Sequence, residues 1–468
     1  MNGLIKVGCA AAAVAASSCA ERTRPNIIYI LADDLGYNEL GCYGQQKILT
    51  PHIDKLAEEG IKFTQHYSGQ AVCAPSRCVM LTGRHTGHSY IRDNKELPKE
   101  GQTPIPAETV TIAKLLKQKG YATGCVGKWG LGYPGSEGDP NNQGFDLFYG
   151  YNCQRQAHFY YPEYLWKNDK KVELPGNKPR EGGPSYASDL MSNEVLGFIK
   201  DHKDKPFYLY YASPLPHVSL QITDEMLNMY KGKWDEKAHK GSSHPKGYTG
   251  HPTPRAAYAA MISHLDRDVG RITALLKELK IDDNTLIIFT SDNGATHAGG
   301  VDYKFFNSVG ELRGLKGSLW EGGIRVPFVA KWPGKIKPGS TSDHISGFQD
   351  MMPTIGDITG YRSPADIDGI SFLPTLLGTT GQAEHKCLYW EFKAYGGQQA
   401  VRMGKWKGIR RGLQRNPNAP IQLYNLETDL SEKNDLAKKY PEVVEKIQKL
   451  MQSERVASKV FPFKALDK

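Results

Sequence analysis

Four short apolar, β-rich runs in this chain are each followed within a few residues by side chains that carry charge or handle protons, and this repetition restricts the folds open to it. Asn26 to Leu31 leads to Asp33-Asp34, Tyr121 to Val126 to Lys128, Pro206 to Tyr211 to His217, and Thr285 to Thr290 to Asp292-Asn293. Helical stretches lie between the runs. Thr50-Pro51 opens one that reaches Glu59 and stops at Gly60, with Thr50 placed as N-cap; Thr109 to Lys119 stops at Gly120; Arg255 to Leu279 is longer. Near-continuous apolar strands alternating with helices predict a mostly parallel sheet covered by helices. Ligands of such sheets gather at the carboxyl ends of the strands, so these four ends are expected on one rim.

A chain of 468 residues exceeds one small core, and its length suggests a large domain with a smaller companion. From about Glu384 the pattern changes to short alternating runs, such as Cys387 to Phe392 and Ala400 to Ile409, followed by an amphipathic helix from Pro441 to Met451. The expected fold is α/β. A large mostly parallel sheet flanked by helices fills residues 24–383, and a smaller C-terminal antiparallel sheet with a terminal helix fills residues 384–468.

Residues 1–18 are set apart. Lys6 precedes an apolar run from Val7 to Ala16 and then Ser17-Ser18-Cys19, the pattern of a signal peptide with a lipid-anchored cysteine. Ala16 stands where such a box usually has Leu, so plain secretion competes with a lipid anchor at Cys19. The run is too short to span a bilayer. The chain is therefore expected to be exported, to the periplasm or as an outer-membrane lipoprotein of a Gram-negative bacterium. Export permits disulfides, but the eight cysteines contain no CxxC pair, which excludes a zinc ribbon or thioredoxin-like motif. The net charge of +9 suits an anionic substrate, and the absence of a Lys/Arg stripe argues against a nucleic-acid partner.

Asp33-Asp34 and Asp292-Asn293 offer hard oxygen ligands, which suit Ca²⁺ or Mg²⁺ better than zinc. Adjacent carboxylates repel unless a cation sits between them. A lone Asp-Asp reads equally well as a solvated turn; the second acidic strand end decides for a metal.

Between these ends lies Cys73-Ala74-Pro75-Ser76-Arg77, followed by Leu81-Thr82-Gly83-Arg84. With this motif the chain resembles the type I sulfatases of the alkaline phosphatase superfamily, and the resemblance extends over nearly all of the mature chain. It implies that a formylglycine-generating enzyme oxidises Cys73 to formylglycine, whose hydrated aldehyde is the nucleophile. It also implies calcium ligation by Asp33, Asp34, Asp292 and Asn293 together with residue 73. Arg77 then supports the nucleophile, Lys128 and Lys316 bind sulfate, and His217, protonated and helped by Lys316, donates to the leaving oxygen. A buried structural cysteine is the alternative for Cys73 alone, and it leaves the rest of the motif unexplained.

One position departs from the resemblance. The family commonly reads GKWHLG where this chain has Gly127-Lys128-Trp129-Gly130-Leu131-Gly132. His297, on the loop after Asn293, is the candidate substitute or a substrate contact. The segment Asn152 to Tyr161, with Arg155 and His158, combines cations and aromatics able to bind a sugar ring, and Arg92 and Asn94 are further pocket candidates. The implied activity is sulfate-ester hydrolysis on a sulfated carbohydrate, leaning to exo-action on a galactose or N-acetylgalactosamine sulfate. Two alternatives remain: a phosphonate or phosphodiester hydrolase of the same superfamily, and a non-catalytic lipoprotein that binds sulfated glycans.

Overall fold

Strand β1 (Asn26–Ala32) is buried at every residue, and its sequence shows no alternation because both of its faces are covered. Ile28, Ile30 and Ala32 enter one core with the long helix Pro254–Glu278 and the helix Ala187–Asp201. Ile27, Tyr29 and Leu31 enter a second core, which holds the helices Cys73–Thr82, Ile112–Gln118 and Met351–Thr359. In the computed structural model these are parts of a three-layer α/β body. The structure describes residues 24–467, and the expected signal segment and Cys19 lie outside them.

The other strands of the large sheet are β2 (Ile61–Tyr67), β3 (Ala122–Lys128), β4 (Leu147–Tyr151), β5 (Tyr164–Lys167), β6 (Lys170–Glu173) and β7 (Phe207–Ala212). A separate hairpin of β8 (His239–Gly241) and β9 (Thr249–His251) follows. The large sheet resumes with β10 (Thr285–Ser291), β11 (Arg325–Lys331), β12 (Ser340–Ser342) and β13 (Ser346–Gly347). Its order is β12-β2-β11-β10-β1-β7-β3-β4-β5-β6, with β13 also on β2. The centre, from β10 to β4, is parallel throughout. Both flanks are reached through antiparallel pairs, β10 with β11 and β4 with β5.

The C-terminal sheet runs β14 (Leu388–Phe392), β15 (Gln398–Met403), β16 (Trp406–Arg411) and β17 (Gln422–Asn425), antiparallel in chain order. The single run expected over Ala400 to Ile409 is two strands, turned at Gly404 in the left-handed region at φ +52. Tyr389, Val401 and Leu423 pack under Val443, Ile447 and Leu450 of the helix Pro441–Ser453. Trp390, Phe392, Ala400 and Ile409 face the other way and pack on Tyr67, Leu319, Trp320 and Ile324 of the large domain.

One helix starts at the expected residues, with Thr50 in the N-cap position, but without a capping side chain, and another starts later than expected. The Thr50 hydroxyl donates to Asp54 and accepts from the Gly41 N–H, so it does not cap the helix Pro51–Glu58. Thr111 caps the next helix by accepting from Lys114 N at 3.2 Å, which moves its start from Thr109 to Ile112. Among the described residues no helix is long and apolar enough to cross a membrane, and the six cysteines are free thiols.

Candidate active site

The parallel ladder of β1 and β10 sets Ala32 opposite Ser291, so Asp33-Asp34 and Asp292-Asn293 leave the sheet side by side. Asp34 N donates to Asp292 Oδ1 at 3.1 Å and Asn293 Nδ2 to Asp34 Oδ1 at 2.8 Å. Ala212 of β7 lies opposite Leu31 on one side and Gly127 on the other, so Lys128 leaves β3 level with Ala32, one residue before Asp33. Lys128 Nζ is 2.5 Å from Asp33 Oδ2.

Cys73 is the first residue of a ten-residue helix whose every residue is buried. The helix N-terminus favours negative charge at this position. One turn on, Arg77 donates from Nε and Nη2 to Asp292 Oδ2 at 3.1 and 2.8 Å, and from Nη1 to the Lys128 carbonyl at 2.6 Å. The motif arginine thus ties the helix to the ends of β3 and β10. Around Cys73 Sγ stand Lys128 Nζ at 3.5 Å, Gln154 Oε1 at 3.6 Å and Asn94 Nδ2 at 4.0 Å. Lys316 Nζ reaches both oxygens of Asp34, at 2.6 and 2.7 Å. His217 Nε2 is 3.5 Å from Asp34 Oδ2, and its ring stacks on His158 with centroids 4.9 Å apart.

Charge crowding sets the ionisation of these groups. Burial opposes the charge on Asp33, but Lys128 above all, with Arg77 and Lys316, holds its carboxyl well below the usual range. Burial and the like charge of Asp33 push Asp292 up to about 7. Burial also opposes the charges of Lys128 and Lys316, yet Asp33 and Asp34 respectively outweigh it and keep both as fixed cations. His217 and His158 move the other way. Burial first, then nearby cations and, for His158, His217, hold both imidazoles well below their ordinary range. Burial raises the Cys73 thiol despite Lys128 and Lys316, so as a plain cysteine it is not an activated nucleophile.

The donor set fits a divalent cation. Asp33 Oδ1 and Asn293 Oδ1 are buried without a hydrogen-bond partner, which costs about 1–3 kcal/mol each unless something else pairs with them. Ligand atoms of Asp33, Cys73 and Asp292 lie within 4.8 Å of one another, as do those of Asp33, Asp34 and His217. Oxygen donors with this much negative charge are what Ca²⁺ and Mg²⁺ take.

One residue expected in the pocket is engaged elsewhere, and another is exposed on the loop after Asn293. Arg92 is 5% exposed and bonds Glu391 Oε1 of β14 at 2.8 Å and the Val456 carbonyl at 2.7 Å, so it fastens the C-terminal sheet to the motif region. His297 is exposed and makes no hydrogen bond or ion pair with any described residue. Asn94 is at the mouth, where its Oδ1 accepts from Ala74 N at 3.2 Å, and Arg155 pairs with Glu96 at 3.1 Å beside an outer groove of about 620 Å³.

Sequence reasoning placed Gln154 only within a candidate sugar-binding segment and left Tyr248 out. A fifth parallel strand, β4, ends at this rim, with Tyr151 opposite Lys128, and delivers Gln154. Its signal was the aromatic run Leu147 to Tyr151 just before Asn152. Tyr248 reaches His158 and His217 edge-on, with centroids 5.1 and 6.0 Å away, from a Gly/Ser-rich loop that carries no such signal.

Residues 25–361 match the family model described as Sulfatase, and residues 315–457 the one described as N-sulphoglucosamine sulphohydrolase, C-terminal. The chain is 30% identical to an N-acetylgalactosamine-6-O-sulfatase of Bacteroides thetaiotaomicron, over 92% of this chain and 93% of that protein. It is 34% identical to arylsulfatase A of Homo sapiens, over 82% of this chain and 74% of that one. The crystal structure of Ps i-CgsB in complex with k-i-k-neocarrahexaose is similar with a TM-score of 0.77 and 30% identity, covering 92% of each chain. Fold, site and these likenesses define a hydrolase of the alkaline phosphatase superfamily. The chain belongs to the sulfatase family and is a sulfatase.

Proposed function

We propose that this sulfatase removes sulfate from a sulfated carbohydrate, with formylglycine made from Cys73 and calcium, or magnesium in its place, held by Asp33, Asp34, Asp292, Asn293 and residue 73. The observation that carries the proposal is Cys73 at a helix N-terminus, 3.5 Å from the buried Lys128 and beside the acidic strand ends. Hydrated formylglycine supplies an oxygen nucleophile with a second hydroxyl for release, and the cation supplies charge that favours its deprotonated form.

The chain's own residues do the rest. A sulfate-ester transition state spreads negative charge over its oxygens, so fixed positive charge is the main requirement. Formal charges of Asp33, Asp34 and Asp292 cancel those of Arg77, Lys128 and Lys316, and a divalent cation brings the site to about plus two. Lys128 and Lys316 hold sulfate oxygens, Arg77 keeps the nucleophile's helix in register, and His217 passes a proton to the leaving sugar oxygen. His158, Asn94 and Arg155 line the way to the sugar.

A relative named N-acetylgalactosamine-6-O-sulfatase and a similar structure holding a neocarrahexaose support a carbohydrate substrate, and within that class the reading leans to exo-action on a galactose or N-acetylgalactosamine sulfate. Residues 24–383 form the catalytic domain and 384–468 its C-terminal partner. Residues 1–18 direct export to the periplasm or, through lipid on Cys19, to the outer membrane of a Gram-negative bacterium, and a formylglycine-generating enzyme matures the chain.

The test takes protein from a host with that maturation system, verifies by peptide mass that Cys73 has lost its sulfur, and screens sulfated monosaccharides. Turnover on a galactose-type sulfate, loss on chelation and recovery with calcium are expected. Full activity with the Cys73 thiol intact would remove the nucleophile. Faster cleavage of the matching phosphate ester would assign the chain to phosphoryl chemistry, and binding without turnover by converted protein would make it a glycan binder.

A further inference from the structure

Gly130, where the family has histidine, adopts φ +87, a region that glycine enters without strain. A Cβ there would lie 2.5 Å from Gln154 Nε2, 3.0 Å from its Cγ and 3.1 Å from its Cδ, so the Gln154 carboxamide fills the space where a side chain at 130 would begin. The two positions are neighbours because Tyr151 of β4 pairs with Lys128 of β3, and each strand's following loop turns over the same rim. Gln154 is 5% exposed, and its Oε1 is 3.6 Å from Cys73 Sγ. Its Nε2 is buried and has no hydrogen-bond partner.

A residue that merely filled a gap would be apolar, because burying an unpaired amide N–H is costly. An unpaired donor on a side chain that touches Cys73, itself 3.5 Å from the Lys128 cation, points to an anionic acceptor that arrives with the substrate. We propose that Gln154 is a catalytic residue of this sulfatase: its amide oxygen accepts a hydrogen bond from the group at position 73, and its amide N–H donates to an oxygen of the bound sulfate ester. The proposal rests on the assignment of position 73 as the nucleophile. A carboxamide orients its neighbours without exchanging protons, so it contacts position 73 from the space a side chain at 130 would enter and leaves proton transfer to other groups.

The test uses the full chain with calcium present, in two forms. Unconverted protein, verified by mass to retain the Cys73 thiol, is titrated calorimetrically with inorganic sulfate. Gln154→Leu is expected to weaken binding roughly tenfold, the effect of losing one charge-assisted hydrogen bond, and Gln154→Glu to weaken it more, because a carboxylate then faces the anion. The glutamate variant has nearly the shape of the original and serves if the leucine variant unfolds, with thermal unfolding as the check. In converted protein both variants should lose about tenfold or more in kcat. The loss should be equal on nitrophenyl sulfate and on a sugar sulfate, since the contact is at the nucleophile and the sulfate, away from the leaving oxygen.

Sulfate affinity and kcat both within about twofold of wild type in the folded variants would overturn the proposal, since that is less than one hydrogen bond is worth. Wild-type protein that binds no sulfate would overturn it as well. The titration needs no turnover, so it decides Gln154 even if converted wild-type enzyme proves inactive on sulfate esters. That failure would count against the assignment of function alone.

Discussion

At His217, the Nδ1 proton is donated to the Val218 carbonyl, which leaves Nε2 bare and directed toward Asp34 Oδ2 at 3.5 Å. With burial and the charges of Lys316 and Lys128 keeping the ring neutral, it needs a second proton before it can serve as an acid. The negative charge of an incoming sulfate ester favours that proton. If His217 then protonates the leaving oxygen, His217→Ala should slow a sugar sulfate by about 10²-fold or more and nitrophenyl sulfate far less, because a nitrophenolate leaves without help. Comparing kcat on the two substrates checks this, and equal losses would pass the role to Lys316, whose cation is already in place 2.6 Å from Asp34. His217, Lys128, Arg77 and the acidic strand ends were legible because each follows its strand or motif at short range. Arg92 was not, since an arginine looks the same in sequence whether its partner is a substrate or a carboxylate 299 residues away.

Among elements, the parallel strands were legible because burial on both faces leaves them uniformly apolar, and their register did the rest by setting Asp33 beside Asp292. β4 was missed as the strand that delivers Gln154 because it is short and Gly150 interrupts its aromatic run. The link from the motif region to β14 was out of reach, since it depends on a contact between domains. There Glu391 accepts from Arg92 at 2.8 Å, from Arg455 at 2.7 Å and from the Tyr389 hydroxyl at 2.8 Å. Arg92→Met should therefore act on stability. It leaves the buried carboxylate with its other two partners, so the expected loss is about 2–3 kcal/mol, below the cost of stripping a buried pair completely. Denaturant unfolding should show this loss while KM for the sulfated substrate stays within about twofold, as for a residue that makes no ground-state contact. Unchanged stability with a raised KM would return Arg92 to the pocket.

On the scale of the whole molecule, the C-terminal sheet holds the segment that carries Lys316. Lys407 of β16 is fully buried and lies 2.9 Å from both Glu321 Oε1 and Glu432 Oε1, while Glu321 N donates to Glu432 Oε2 at 2.8 Å. Two carboxylates share this lysine, and their surroundings drive them apart. Burial opposes the charge of Glu321, but Lys407, Arg402 and Arg325 bring it down to about 2. For Glu432, burial raises the carboxyl, Lys407 draws it back, and the Glu321 charge raises it again, to about 7. In the unfolded chain Glu432 titrates near 4.5. A carboxyl whose folded pKa lies above its unfolded value contributes most when protonated, so its stabilisation is complete below about pH 4.5 and is lost as pH rises toward about 7, by up to about 3 kcal/mol. Glu432→Gln keeps the shape and removes the titration. Its stability relative to wild type should then climb steadily across that window and level off above it, whatever constant offset the amide introduces. Unfolding midpoints of the two proteins, measured at matched pH from acid to neutral, give this difference directly. A difference that stays flat with pH would mean that Glu432 remains charged beside Lys407 and that the lysine satisfies both acids.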